Sequence, residues 1–341
     1  MRNDRIGDLV LTLPAMQAVR RQWPKAHIAA LVSRYAGPLL AGSPYVDQVL
    51  VDDPEETAGK LAARLAAMEF DAALVFNTST RNCLAAWRAG IRRRVTWAYK
   101  PVGLLTGNLR IWRHRTHPPV HEAEFALEFV RALGGAAVMS NLDPRLTIDP
   151  TAQKRVHARL QRELPGGGPL FGVHPGNLGS AYNWPADHYA ALVARLASHG
   201  RVMVTGSPAE RALCERMCAD LPAECAARVG IYTDLALPEL VAAIAEQSVL
   251  VVSSTGPMHV AGILGTPVVA LFSPHPVHAP AKWAPLGKDS TLLVAPLNSG
   301  ESADVPRELA ATVMSRISVE SVEQAALAHA HRRALQTERA A

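Results

Sequence analysis

The sequence predicts an α/β protein made of two doubly wound, Rossmann-like domains, residues 1–149 and 150–341, facing a central cleft. Three observations carry this. The 341 residues are too many for one core and comfortable for two. Short apolar runs alternate with helical stretches through both halves, the rhythm of a parallel sheet covered by helices. Between the halves, residues 141–150 hold two prolines and few periodic apolar positions, the composition of a linker.

The elements follow in order. In the first half a helix is expected near Pro14 to Trp23, a strand at His27 to Val32 and another near Val46 to Val51. A helix from Glu55 to Ala67 precedes a strand at Ala72 to Asn77, a helix to about Ala89 and a strand at Arg94 to Ala98. Phe125, Leu127, Phe129 and Val130 make 121–133 a helix that closes the unit. The second half repeats the pattern. Helices at 152–164, 186–199, 209–221 and 238–246 alternate with strands at 170–173, 201–205, near Val229 and at 249–252. A final helix runs from Val319 to about Leu335 into a polar tail.

The most informative stretch is SSTGPMHVAGILGTPVVALFSP, Ser253 to Pro274. Ser254 or Thr255 can cap a helix, Gly256 lets a ligand approach the backbone, and Pro257 is pre-set for a first turn. Gly265 suits the left-handed residue that ends a helix, and Val268 to Phe272 is apolar enough for a buried strand. A helix N-terminus carries roughly half a positive charge and unpaired N–H donors, which suits a phosphate or diphosphate; an ordinary loop, helix and strand is the plainer alternative.

Composition narrows the function. No apolar run approaches the roughly 18–20 residues of a spanning helix, and residues 1–13 have the wrong flanks for a signal peptide. A soluble, cytoplasmic protein is expected, peripheral at most to the inner membrane. Cys83, Cys214, Cys218 and Cys225 have neither paired spacing nor nearby histidines in metal-ligand order, so structural or incidental thiols are expected. The net charge is +5, with basic clusters at Arg88 to Arg94 and Arg110 to Arg115 interleaved with Trp87, Trp97 and Trp112. These suit a solvated face, an anionic acceptor or an anionic membrane surface. No nucleic-acid motif accompanies them, and no Gly-x-Gly-x-x-Gly follows a strand, which disfavours a nicotinamide-dependent dehydrogenase.

Four strand-end loops of the second half lie where switch-point crevices form: HPGN with His174 and Gly176, TGSPAE with Gly206 and Glu210, IYTD at 231–234, and SSTGPMH with Ser254, Thr255, Gly256 and His259. Glu210 suits a ribose hydroxyl or simply a helix first turn. His259 suits a phosphate or a satisfied place in the core. In RNDRIGDLVLTLP, Asp8 suits an N-cap or a general base.

Together RNDRIGDLVLTLP, HPGN followed by NWP at 183–185, and TGPMHVAGILGTPVVALFSP resemble glycosyltransferase family 9, the ADP-heptose:lipopolysaccharide heptosyltransferases. The resemblance implies a GT-B fold and inverting transfer of a heptose or related sugar from an ADP-sugar to lipopolysaccharide core or a related glycan. The ADP-sugar would be a co-substrate, with no cofactor and no metal. It makes Asp8 the base and places Thr255, Gly256 and His259 at the donor diphosphate, with Glu210 at the nucleoside. His174, Gly176, Tyr182, Gly206 and Ser254 complete the expected donor site, and Arg5, Arg92 and Arg94 are expected to meet the acceptor.

Three positions depart from the family pattern. Ser254 stands where aspartate is common, and Tyr182 where lysine or arginine faces the donor phosphates; Arg211 and Lys282 are the candidates to compensate. Met1 falls where an apolar first strand usually runs into the Asp8 loop. The N-terminal sheet is therefore expected to lack its central strand, with that loop tethered only from its C-terminal side and a chain extended upstream more stable and more active. A nucleotide- or glycan-binding homologue without catalysis is the alternative reading.

Overall fold

The computed structural model describes residues 1–114, 119–177, 179 and 181–340, with side chains through 336. The chain divides into two compact units, Met1–Thr147 and Ile148–Ala341.

In the first unit, α1 (Ile6–Val10) and α2 (Leu13–Gln22) lead into β1 (Ala29–Ser33) and β2 (Gln48–Asp52). Then follow α3 (Ala58–Ala66), β3 (Ala72–Leu74), α4 (Thr80–Arg88), β4 (Arg93–Trp97), α5 (Pro101–Thr106), β5 (Leu109–Ile111) and α6 (Glu122–Ala132). All pairings are parallel, but they form two separate ladders, β1-β2 and β3-β4-β5. The first two residues lie between them. The Met1 amine donates to the Leu74 carbonyl at 2.8 Å and the Arg2 N–H to the Leu31 carbonyl at 2.9 Å. Burial pushes that amine down to about 5, since a charge is costly away from water. Beside this bridge lies a cavity of about 420 Å³, lined largely by apolar side chains such as Trp23, Leu31, Leu65 and Leu133.

The second unit runs α7 (Pro150–Glu163), β6 (Leu170–His174), α8 (Ala186–His199), β7 (Arg201–Thr205), α9 (Arg211–Cys218), α10 (Ala223–Ala226), β8 (Val229–Tyr232) and α11 (Leu237–Glu246). It continues through β9 (Val249–Ser253), α12 (Gly256–Leu264), β10 (Val268–Phe272), α13 (Pro280–Trp283), β11 (Ser290–Val294), α14 (Ala310–Met314) and α15 (Val319–Ala340). Its six parallel strands are ordered β11-β10-β9-β6-β7-β8. The order reverses between β6 and β9, so the crevice where such sheets take ligands lies at the carboxyl ends of those two strands. Every residue of β6, β9 and β10 is buried, as expected for strands covered on both faces. Phe171 and Val173 point to the core under α8 and α15, while Leu170 points to the core under α7 and α11.

Several elements were not legible beforehand: α1, α5, β5, α10, α13, β11 and α14 are each six residues or shorter. The helix expected over 209–221 is the shorter α9, preceded by a 3₁₀ turn at Pro208–Glu210.

Candidate functional site

The crevice of the second unit is braced by a residue type that periodicity does not register. Asn183, the first residue of NWP, donates to the Pro175 carbonyl at 2.6 Å and accepts from Ser253 Oγ at 2.9 Å. It therefore ties the β6 loop to the end of β9 across the switch point. Tyr189, on α8, hydrogen-bonds Ser253 Oγ at 3.0 Å from beneath. Trp184 is fully buried and donates to the Ile317 carbonyl at 3.0 Å, which fixes the Asn183 backbone. A polar residue directly before a Trp-Pro pair was the available signal.

His174, Gly176, Gly206 and Glu210 come together at the ends of β6 and β7. His174 Nδ1 lies 2.9 Å from Thr205 Oγ1. Burial holds this imidazole down to about 4, against the opposing pull of the Glu210 carboxylate, so it is neutral at pH 7. A Cβ on Gly176 would sit 2.0 Å from Glu210 Oε1, so only glycine allows that carboxylate its place. Glu210 Oε2 accepts from the Ser207 N–H and hydroxyl, both at 2.8 Å, as a capping box. The first-turn reading of Glu210 is thus realised, and that oxygen is occupied by its own loop. The IYTD loop stands apart: Asp234 pairs with Arg159 at 2.9 Å, and the Arg159 guanidinium covers the Tyr232 ring.

At the turn after β9, Thr255 is the N-cap of α12, but neither it nor Ser254 caps the helix through its side chain. The reason is local. Pro257 at the second helical position has no N–H to give, and the Met258 N–H already donates to the Thr255 carbonyl at 3.1 Å. Gly265 closes the helix at φ 74°, in the left-handed region. His259 is buried in the first turn, its ring centroid 6.4 Å from that of Trp283.

Tyr182 departs from its expected role. Its hydroxyl donates its one proton to the Val305 carbonyl at 2.6 Å, and its ring packs against His275 and His278. Of the two candidates to compensate, Arg211 lies on an exposed helix face and pairs with Glu215 at 2.8 Å. Lys282 is buried, 5.3 Å from the Trp283 ring centroid.

In the first unit, Asp8 sits inside α1, and the N-cap is Arg5; the N-cap reading of Asp8 does not hold. Arg2 is buried and donates to Asp8 Oδ1 at 2.5 Å and to the Asp8 carbonyl at 3.3 Å. Asn3 donates to Asp52 at 2.6 Å and accepts from Asn77 at 2.5 Å and Asn82 at 2.9 Å. The Asp8 loop is thus held from its N-terminal side as well, contrary to expectation. This network gathers at the carboxyl ends of β2 and β3, where Lys100 Nζ also donates to the Asn77 carbonyl at 2.9 Å.

Arg92 and Arg94 do not join it. They flank the start of β4, at the opposite end of the parallel strands, and the Arg94 guanidinium donates to the Ile91 and Thr106 carbonyls. Arg5 is exposed beside Asp8. Arg115 lies outside the described residues. Among the described residues no three His, Cys, Asp or Glu side chains gather as a metal site, and no helix is long and apolar enough to cross a membrane.

The chain is 27% identical over 302 residues to lipooligosaccharide heptosyltransferase 2 of Haemophilus influenzae, covering 84% of this chain and 85% of that protein. It is 26% identical over 281 residues to lipopolysaccharide heptosyltransferase 2 of Escherichia coli, covering 79% and 80%. The solved structure of E. coli ADP-heptose lipopolysaccharide heptosyltransferase II superposes with a TM-score of 0.81 at 23% identity, covering 99% of this chain and 98% of that one, which establishes the GT-B fold. The family model described as glycosyltransferase family 9 (heptosyltransferase) matches residues 58–310, so the chain is a glycosyltransferase and belongs to family 9.

Proposed function

We propose that the protein transfers a heptose from ADP-heptose, with inversion, to a lipopolysaccharide core acceptor. The single observation that carries this reading is the Asp8 carboxylate held by Arg2 in the first unit, in a chain whose second sheet has a switch point between β6 and β9. The relatives named above are heptosyltransferases, and one solved relative is named for ADP-heptose.

In this reading the unit Met1–Thr147 takes the acceptor and the unit Ile148–Ala341 the donor. Asp8 accepts the proton of the acceptor hydroxyl as its oxygen attacks the anomeric carbon, and ADP leaves with the electrons of the broken C–O bond. The first turn of α12 stabilises the leaving diphosphate through its dipole and N–H groups. Arg2 orients the carboxylate. Asp8→Asn keeps an acceptor for Arg2 and removes the base. We expect transfer to fall at least about a hundredfold with the ADP Kd unchanged, the scale of a lost general base; undiminished turnover in a coupled ADP-release assay overturns the role of Asp8.

We also propose peripheral contact with an anionic bilayer. Tyr99, Leu104 and Leu105, which follow β4, and Trp112, which follows β5, are large exposed apolar side chains, with Arg110 and Arg113 nearby in sequence. Such a mixture suits an interfacial surface. Sedimentation with phosphatidylglycerol vesicles but not phosphatidylcholine vesicles is expected, and Leu105→Ser should reduce it; equal recovery with both lipids overturns this part.

A further inference from the structure

Tyr182 follows β6, whereas His275 and His278 follow β10. Their rings nevertheless form one cluster, with centroids 5.7 Å apart for Tyr182–His275, 5.2 Å for Tyr182–His278 and 5.5 Å for His275–His278. Since β9 lies between β6 and β10 in the sheet, these rings close across the end of β9, where Thr255 and Gly256 open α12. Lys282 belongs to the same corner: its backbone N–H donates to the Ala279 carbonyl, and the Trp283 ring lies 5.3 Å from its ammonium and 6.4 Å from the ring of His259 in the α12 first turn. Arg307 reaches the rim from the other side, 3.5 Å from the Gly179 carbonyl. Asp304 faces this group as well: it pairs with His275 at 2.8 Å and is itself largely exposed.

We propose that His275, His278, Lys282 and Arg307 form a subsite for the phosphate groups of a nucleoside diphosphate at the carboxyl end of β10, and that they supply the positive charge Tyr182 does not. The proposal rests on the donor reading above and extends it to residues that sequence motifs left unassigned. Two further points support it. The Tyr182 proton is committed to Val305, which makes the ring a wall of the subsite and leaves the charged work to its neighbours. His278 is held below the ordinary imidazole range by burial first, and further by its neighbours His275, Lys282 and Arg307. A phosphate entering the group opposes those charges and draws a proton onto His278.

The test is calorimetric titration of the full chain with ADP, AMP and inorganic pyrophosphate, for the wild type, His278→Gln, Lys282→Gln and the exposed control Arg211→Gln. His278→Gln and Lys282→Gln should each weaken ADP and pyrophosphate binding at least about tenfold, as for a lost charged hydrogen bond, and AMP binding less; Arg211→Gln should change none. At pH 6.5 wild-type ADP binding should take up protons, seen as a buffer-dependent enthalpy that His278→Gln removes. Should burial of Lys282 make its variant unstable, His278→Gln and the proton count decide alone, because His278 is only partly buried. ADP binding that is unchanged in His278→Gln and independent of buffer overturns the subsite and leaves the donor reading standing. Pyrophosphate binding that the variants lose, without ADP binding by the wild type, supports the subsite and overturns the nucleotide donor. Binding of neither ligand by the wild type overturns both.

Discussion

His174 is the residue whose chemistry departs furthest from its sequence appearance. In HPGN it reads as a polar loop histidine; in the structure it ends a fully buried strand with Thr205 as its partner. Its folded-state value of about 4 lies below its ordinary 6.5, so the folded protein binds the proton less readily than the unfolded chain. Stability from this group is therefore complete above pH 6.5 and declines as pH falls from 6.5 towards 4, by up to about 3 kcal/mol. Urea unfolding at pH 7 and pH 4.5 checks this: the loss between the two should be smaller in His174→Gln than in the wild type. Equal losses would mean that the imidazole is already protonated in the fold. Asp8 shows the converse, since its partner Arg2 was within the quoted motif yet nothing in a spacing of six residues identified the pair. Only the tight turn into α1 brings the two together.

At the scale of elements, the segment 253–274 was the most legible. Its apolar strand, its proline near the helix start and its glycine stop are properties of the local chain, and β9, α12 and β10 follow from them. What the residues did not disclose is how the helix start is satisfied, because a cap depends on which N–H groups remain unpaired once the turn has formed. Thr255 makes no cap hydrogen bond. Thr255→Ala should therefore change stability by less than about 0.5 kcal/mol, where loss of a capping threonine typically costs about 1. If Thr255 faces the donor diphosphate, the same variant should weaken ADP binding. A thermal melt beside a titration separates these, and a large drop in Tm with unchanged ADP affinity would make Thr255 purely structural. The elements that sequence reading missed are short, and their stability comes from packing: α5 lies so close to the end of β4 that a Cβ on Gly103 would fall 2.3 Å from the Trp97 carbonyl oxygen.

For the whole molecule, each unit has its own core. The second packs Trp184, Tyr189, Phe171 and Phe272 among its fully buried side chains, and its strands are paired only with one another. Residues 148–341 expressed alone should consequently melt cooperatively and bind ADP within about threefold of the full chain while transferring no sugar, an expectation that rests on the donor reading. A non-cooperative melt would show that the second core needs the first unit. The first unit is built differently, in two ladders bridged by Met1 and Arg2 beside a cavity, and its Asp8 loop depends on that bridge and on the Asn3 network.

The sequence by itself determined the α/β class, most of the longer helices and strands, and the residues that form the strand-end loops of the second unit. These depend on periodicity and on the conformational limits of glycine and proline, which act within a few residues. The tertiary structure alone decided which polar atoms already have partners. It gave the Tyr182 proton to Val305, gave Glu210 to Ser207, set Arg94 at the wrong end of its strand and assembled His275, His278, Lys282 and Arg307 around one corner. Hydrogen bonds and charges act over a few ångströms between groups far apart in sequence, so the identity of a site residue was readable from the chain, but its chemical availability was not.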